Sequence, residues 1–242
     1  MATIAVYNLK GGVGKTTVAV NLAWLAAARS ARRTLLWDLD AQGAATFLLG
    51  GDAPTAHDAA SLFTGSTKPK ALIRSTGRER LDILPADASL ATLDRELHDL
   101  GKRKLLAKMV EDLGRTYDVV ILDCPPGLGE VAEQVVRAAD LVVVPVVPSE
   151  LSRRTLASVE DFVNAKQSRN VPLMPVHAMV DRRRTLHRSA LAASPDWPVL
   201  PMASAVEAMA DRRDAIGGFA PRSAAGQAFE ELWKQVSRAT GG

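Results

Sequence analysis

The chain has 242 residues, enough for one sizeable α/β domain with a full core, and its 47% hydrophobic and 24% charged content is ordinary globular composition. No apolar run approaches the roughly 20 residues needed to span a bilayer, and the start "MATIAVYN" has no signal-peptide pattern. The single cysteine, Cys124, excludes an internal disulfide and a four-cysteine zinc or iron–sulfur site within one chain, which suits a reducing cytoplasm. The net charge of +3 is unevenly spread: from Leu151 onward 13 Lys+Arg face 9 Asp+Glu, and 11 of those cations are arginine, the residue whose planar fork suits phosphate.

In chain order, "TIAVYN" from Thr3 is a short β-branched strand that runs into a glycine loop, and Thr16 to Arg29 reads as a helix. "TLLWD" from Thr34 is the next buried strand. A polar, helical region is expected over roughly 51–80, then a strand "LDILPA" from Leu81. Ala88 to Leu113 reads as two helices broken near Gly101, with Gly114 as a helix stop. "YDVVILDCPPG" from Tyr117 is the clearest strand, with four aliphatic residues in series before Pro125 and Pro126. "DLVVVPVVPS" from Asp140, "MPVHAMV" from Met174 and "WPVLPM" from Trp197 complete the strands, and Ala224 to Ala239 is a final amphipathic packing helix. Continuous rather than alternating apolar strands imply burial on both faces. The fold class is therefore α/β: a doubly wound, mostly parallel sheet with helices on both faces. No repeat, low-complexity stretch or linker interrupts it, so 1–242 reads as a single domain.

"NLKGGVGKTT", Asn8 to Thr17, ends a strand and opens a helix, the context that turns a glycine pattern into a phosphate site. Gly11, Gly12 and Gly14 let backbone N–H groups turn inward around phosphate oxygens, with Val13 between them. The helix N-terminus adds partial positive charge. Lys15 reaches the β- and γ-phosphates, the Thr16 hydroxyl suits Mg²⁺, and Thr17 suits the α-phosphate. Asp123 ends an apolar strand beside this loop and can hold Mg²⁺ through a water. Asp38 and Asp40 sit two apart at a strand end and face the same side if extended. Cys124 reads as a small packing residue, and His57, His98, His177 and His187 lack metal-ligand spacing.

The loop carries a second lysine, Lys10, at its entrance, and this resembles the deviant P-loop of the ParA/MinD family of ATPases, most like the short ParA (Soj-like) partition forms. "LLWDLDAQGAAT" is similar to that family's D-x-D-P-Q-G-x-x-T motif, with Ala41 where Pro is usual. "VVILDCPPGLG" resembles its Walker B strand and switch, "DLVVVPVVPSELSRRTL" its next strand and loop, and "APRSAAGQAFEELWKQV" its closing helix.

The resemblance implies ATP and Mg²⁺ as cofactors and a slow, partner-stimulated ATPase. It gives Asp40 the attacking water, Asp38 support of Mg²⁺, and Lys10 a reach across an ATP-bound homodimer. It places adenine among Met179, Asp181, Pro201 and Met202, and non-specific double-stranded DNA on Arg182, Arg183, Arg184, Arg188, Arg212 and Arg213. It implies a nucleoid-associated cytoplasmic protein, a ParB-like cargo adaptor, and no membrane partner. With the first strand at Thr3, no preceding DNA-reading domain and no operator-specific autorepression are expected.

Four rivals fit the P-loop less well. A metabolic ATP-dependent ligase of the dethiobiotin synthetase kind is opposed by Lys10 and the D-x-D-x-Q-G block. A nitrogenase-reductase-like carrier needs two placed cysteines. A MinD-like membrane cycler needs a basic apolar tail. A DNA-binding protein with a vestigial nucleotide site is opposed by intact Lys15, Thr16, Asp40 and Asp123.

Overall fold

A computed structural model describes residues 1–50, 58–166 and 170–241. Strands β1 (Ala2–Val6), β2 (Thr34–Asp38), β3 (Arg74–Arg78), β4 (Leu81–Leu84), β5 (Val119–Asp123), β6 (Leu141–Val146), β7 (Leu173–Val180) and β8 (Val199–Pro201) form one sheet in the order β3-β4-β2-β5-β1-β6-β7-β8. Every pairing is parallel except β3 with β4. The helices are α1 (Lys15–Ser30), the one-turn α2 (Ser61–Thr64) and α3 (Pro69–Leu72), α4 (Leu93–Leu100), α5 (Leu105–Leu113), α6 (Glu130–Ala138), α7 (Glu150–Lys166), α8 (Thr185–Ala193), α9 (Ser204–Arg212), α10 (Ile216–Phe219) and α11 (Ala224–Ala239).

The period-2 geometry of the strands divides the core in two. Val119 and Ile121 of β5 join one cluster with α1, α10 and α11, through Leu22, Ile216, Phe229 and Leu232. Val120 and Leu122 join the other with α4, α5, α6 and α7, through Leu97, Val110, Val135 and Val159. All five residues of β1, β2 and β5 are buried, which is why these strands read as unbroken apolar runs. Small residues on the inner face of α1, among them Ala19, Ala23 and Ala26, are buried and let the helix lie close to the sheet.

One element departs from the sequence expectation. The described part of the 51–80 region holds two single turns of helix and then β3, a polar edge strand antiparallel to β4. Its sequence RSTGR carries no aliphatic residue and one β-branched residue, Thr76, so no apolar periodicity marks it. A tight return at Arg80, whose φ is +60°, brings it onto β4, and the Thr76 hydroxyl donates to the Leu81 carbonyl. Residues 51–57, including His57, lie outside the described residues. Among the described residues no helix is long and apolar enough to cross a membrane.

Candidate functional site

The parallel strands bring their carboxyl ends to one edge, where ligands of open α/β sheets bind. β1 ends there in the glycine loop. Gly12 and Gly14 have φ of +72° and +90°, a backbone region that a Cβ would strain. Gly14 directly precedes α1, whose first turn has no side-chain cap and no acidic residue, so its N–H groups remain available to an anion. Asn8, buried at the loop entrance, donates from Nδ2 to the Pro145 carbonyl (2.8 Å) and accepts the Lys10 N–H on Oδ1 (2.9 Å). This residue, which motif reading passed over, ties the loop to the end of β6.

Lys15 is buried, and its Nζ donates to the Lys10 carbonyl at 3.2 Å. Burial holds its ammonium below the usual lysine value, opposed chiefly by attraction to Asp123. Lys10 is exposed at the mouth of the loop. The two lysines thus stand in different surroundings, one inside the cradle and one facing outward.

Asp38 and Asp123 are register partners on β2 and β5, and both are buried. Asp38 is fully engaged: Oδ2 accepts the Thr46 N–H and hydroxyl (2.8 Å each), and Oδ1 accepts the Asp40 N–H (3.2 Å). Burial pushes its carboxyl up to about 6 against those three donors. Asp123 has both carboxylate oxygens buried without a hydrogen-bond partner. Burial and then the Asp38 charge push it well above the usual carboxylate range, while Thr16 and Lys15 act in the opposite direction. A buried carboxylate with no donor, beside a hydroxyl and a cationic loop, fits a hydrated divalent cation shared with a phosphate.

Asp40, half-buried beyond β2, accepts the Gln42 N–H on Oδ1 (3.0 Å), and its carbonyl accepts the Gly43 N–H (2.8 Å). Ala41, in the usual proline position, lies within this turn, which closes without it. Thr46 has a further role: its hydroxyl accepts the Ala86 N–H at 2.8 Å, joining the Asp38 loop to the end of β4. Tyr7 closes the far side by donating to the Gly127 carbonyl (2.6 Å) in the loop after β5. Cys124 is buried, with its thiol pushed well up by burial. It is an inert packing residue.

An apolar cleft adjoins the phosphate loop, lined by Val13, Gly14, Thr17, Met179, Pro201 and Met202 with residues of α9 and α11. Met179 stands at a bulge in β7 with φ +55°, strained for a side chain of its size. Asp181 is not among the lining residues. It points instead into the loop after β7, where its carboxylate clamps Arg183 at 2.9 Å. The family resemblance groups it with Met179 in the one stretch 178–183, but of the two only Met179 lines the cleft.

The arginines separate in the same way. Arg182, Arg184 and Arg212 are exposed. Arg188 donates to the Arg182 and Arg183 carbonyls (3.2 and 3.0 Å) and to the Thr185 hydroxyl (3.1 Å). Arg213 is half-buried with its guanidinium 4.4 Å from the Phe47 ring centroid, and its carbonyl accepts from Arg78, which also pairs with Asp214 at 2.7 Å.

The fold and this phosphate cradle define a P-loop nucleotide-binding protein. A family model described as an AAA domain (AAA_31) matches residues 1–174, and the chain belongs to that family. More narrowly, it is similar to the sporulation initiation inhibitor protein Soj of Bacillus subtilis, 38% identical over 145 residues, which is 59% of this chain and 57% of Soj. The matched stretch spans only 56–63% of the length of Soj and two further ParA-type relatives. An ATP complex of McdA from Cyanothece superposes with TM-score 0.83, covering 100% of this chain and 96% of that one at 20% identity, a likeness of fold. A structure described as cobyrinic acid a,c-diamide synthase from Mycobacterium smegmatis, with an ATP analogue and magnesium, superposes with TM-score 0.78 at 29% identity, covering 98% and 94%.

Proposed function

We propose that this protein is an ATP-dependent switch ATPase that partitions or positions DNA or a protein cargo. ATP is its substrate and Mg²⁺ its metal. The observation that carries the reading is the pairing of a buried Lys15 with a donorless Asp123 at the glycine loop, beside an exposed Lys10. The loop N–H groups and Lys15 hold the phosphates, and the apolar cleft with Met179, Pro201 and Met202 accepts the adenine. Thr16 and, through a water, Asp123 would hold Mg²⁺, with Asp38 keeping the neighbouring loop in place by its three hydrogen bonds. When bound, Mg²⁺ neutralises phosphate charge. Asp40 orients the water for attack on the γ-phosphate.

Lys10 reaches the phosphates held by a second subunit, so two ATP-loaded faces close into a homodimer. That dimer binds duplex DNA through phosphate contacts from exposed arginines, without reading sequence, and resides on the nucleoid. A ParB-like adaptor stimulates hydrolysis and returns monomers. Binding of random-sequence duplex with ATP, ADP or no nucleotide, over a salt series, tests this. ATP-dependent, salt-sensitive binding is expected.

A second reading, a metabolic ATP-dependent ligase, is favoured by the 29% identity to the structure described as a diamide synthase. ATP turnover with no DNA binding in any nucleotide state would support it over the switch.

A further inference from the structure

Four arginines fall between 182 and 188, and charge alone gives them equal claims on a phosphate. The geometry points to a division of labour: we propose that Arg182 and Arg184 contact phosphate, that Asp181, Arg183 and Arg188 form the knot that presents them, and that the buried His187 positions that knot. The assignment rests on the DNA reading above.

The knot is closed by hydrogen bonds at each step. Asp181 Oδ1 accepts the Arg183 N–H (3.0 Å) and Nε–H (2.9 Å), while Oδ2 accepts Nη2–H (2.9 Å). The Asp181 carbonyl accepts the Arg184 N–H at 3.1 Å, completing the turn into α8. Arg188 reaches back from the first turns of α8 and donates to the Arg182 and Arg183 carbonyls and to Thr185. A phosphate approaching Arg183 meets the Asp181 carboxylate on the same fork, so like-charge repulsion opposes the exchange. Arg188 has spent three N–H directions on its own loop. Arg182 and Arg184 are exposed, as Arg183 and Arg188 are, but unlike them have, among the described residues, no side-chain hydrogen bond or ion pair. Holding the backbone still lowers the entropy that two long side chains must lose when they bind.

His187 is 2% exposed, and its Nδ1 accepts the Asp181 N–H at 3.0 Å. That bond requires the tautomer with its proton on Nε2. It fixes the residue on which the Arg183 clamp hangs. His187 carries no formal charge in this role, so its effect on DNA is separable from counting cations.

The test is fluorescence anisotropy on random-sequence duplex across a potassium chloride series, with ATP and Mg²⁺. Each lost phosphate contact lowers the slope of log K against log[salt] by about 0.9. Arg182→Ala and Arg184→Ala should each lower it by about that much, and Arg183→Ala, which loosens the knot but removes no phosphate contact, should lower it by less than either. His187→Leu should lower it although no cation is removed, and His187→Asn, whose Oδ1 can accept the Asp181 N–H, should restore it. The surface arginine variants keep the test decisive if a His187 variant folds poorly. An Arg183→Ala loss as large as that of Arg182→Ala, or a wild-type slope in folded His187→Leu, would overturn the assignment. Absence of ATP-dependent binding by the wild type is a different result, which overturns the DNA reading itself.

Discussion

At the carboxyl ends of β2 and β5, Asp38 and Asp123 are buried side by side, and burial lifts Asp38 to about 6. In the loop after β7, Asp181 faces solvent far more, and its hydrogen bonds from Arg183 draw it down to about 2. The first region concentrates charge in a dry place and leaves one carboxylate without a donor, so its free energy is lowered only when a cation and phosphate arrive. The second satisfies its internal charges at once and exposes only the arginines left over. The nucleotide end is built from buried groups awaiting partners; the loop proposed to meet DNA is built from an internally bonded backbone with spare cations.

Substitutions at the nucleotide end should therefore have the largest effects. Asp40→Ala should lower hydrolysis by about 10²–10⁴-fold, the usual range for a positioned base, while light scattering still detects ATP-dependent dimers. Undiminished turnover would remove Asp40 from the water. Lys15→Ala should weaken ATP binding on the order of 100-fold, measured by calorimetry, because it takes a buried cation from the phosphate and from Asp123.

The pH response separates the two regions further. Asp38 has a folded-state value of about 6, against about 3.9 when unfolded. Between those values the folded state binds more protons, so stability falls as pH rises through that window. His177 and His187, both held below the usual histidine value chiefly by burial, act in the opposite direction over the same range, so Asp38 is read by difference: from pH 7.5 to 5.5 the melting temperature of nucleotide-free Asp38→Asn should gain less, or lose more, than that of wild type. Asp181, with a folded value of about 2, contributes stability that is present above about 3.9 and lost only as pH falls toward 2, so it is silent over the same range. An identical pH dependence of melting temperature in wild type and folded Asp38→Asn would contradict the buried-carboxylate account.

The same contrast governs what the sequence could reveal. Lys15, Thr16 and Asp123 were legible as candidates because a phosphate cradle demands particular residues at fixed spacing on a strand–loop–helix frame, while Asp38 and Asp40 drew their expected roles from the family resemblance. The central strands were legible because both their faces are buried. Strand β3 was not, since RSTGR at a sheet edge carries no apolar signal. Asn8 acts through a hydrogen bond to the distant Pro145 carbonyl, and Thr46, which the motif does mark, also accepts the distant Ala86 N–H; neither long-range tie is encoded by a local pattern. Asp181 falls in the stretch that the resemblance assigns to the adenine, whereas the backbone turns after β7 and its carboxylate meets Arg183. The sorting of arginines depends on which guanidinium meets a neighbouring carbonyl, and that is a property of the turn.

The account's central claim is that Lys10, exposed at the mouth of a cradle that Lys15 already serves, makes the nucleotide site a dimerisation switch. Multi-angle light scattering with saturating ATP and Mg²⁺ measures this directly. The 25.8 kDa chain should double in mass as wild type, and Lys10→Ala should bind ATP and remain a monomer. A Lys10→Ala protein that dimerises with ATP as readily as wild type would contradict the claim.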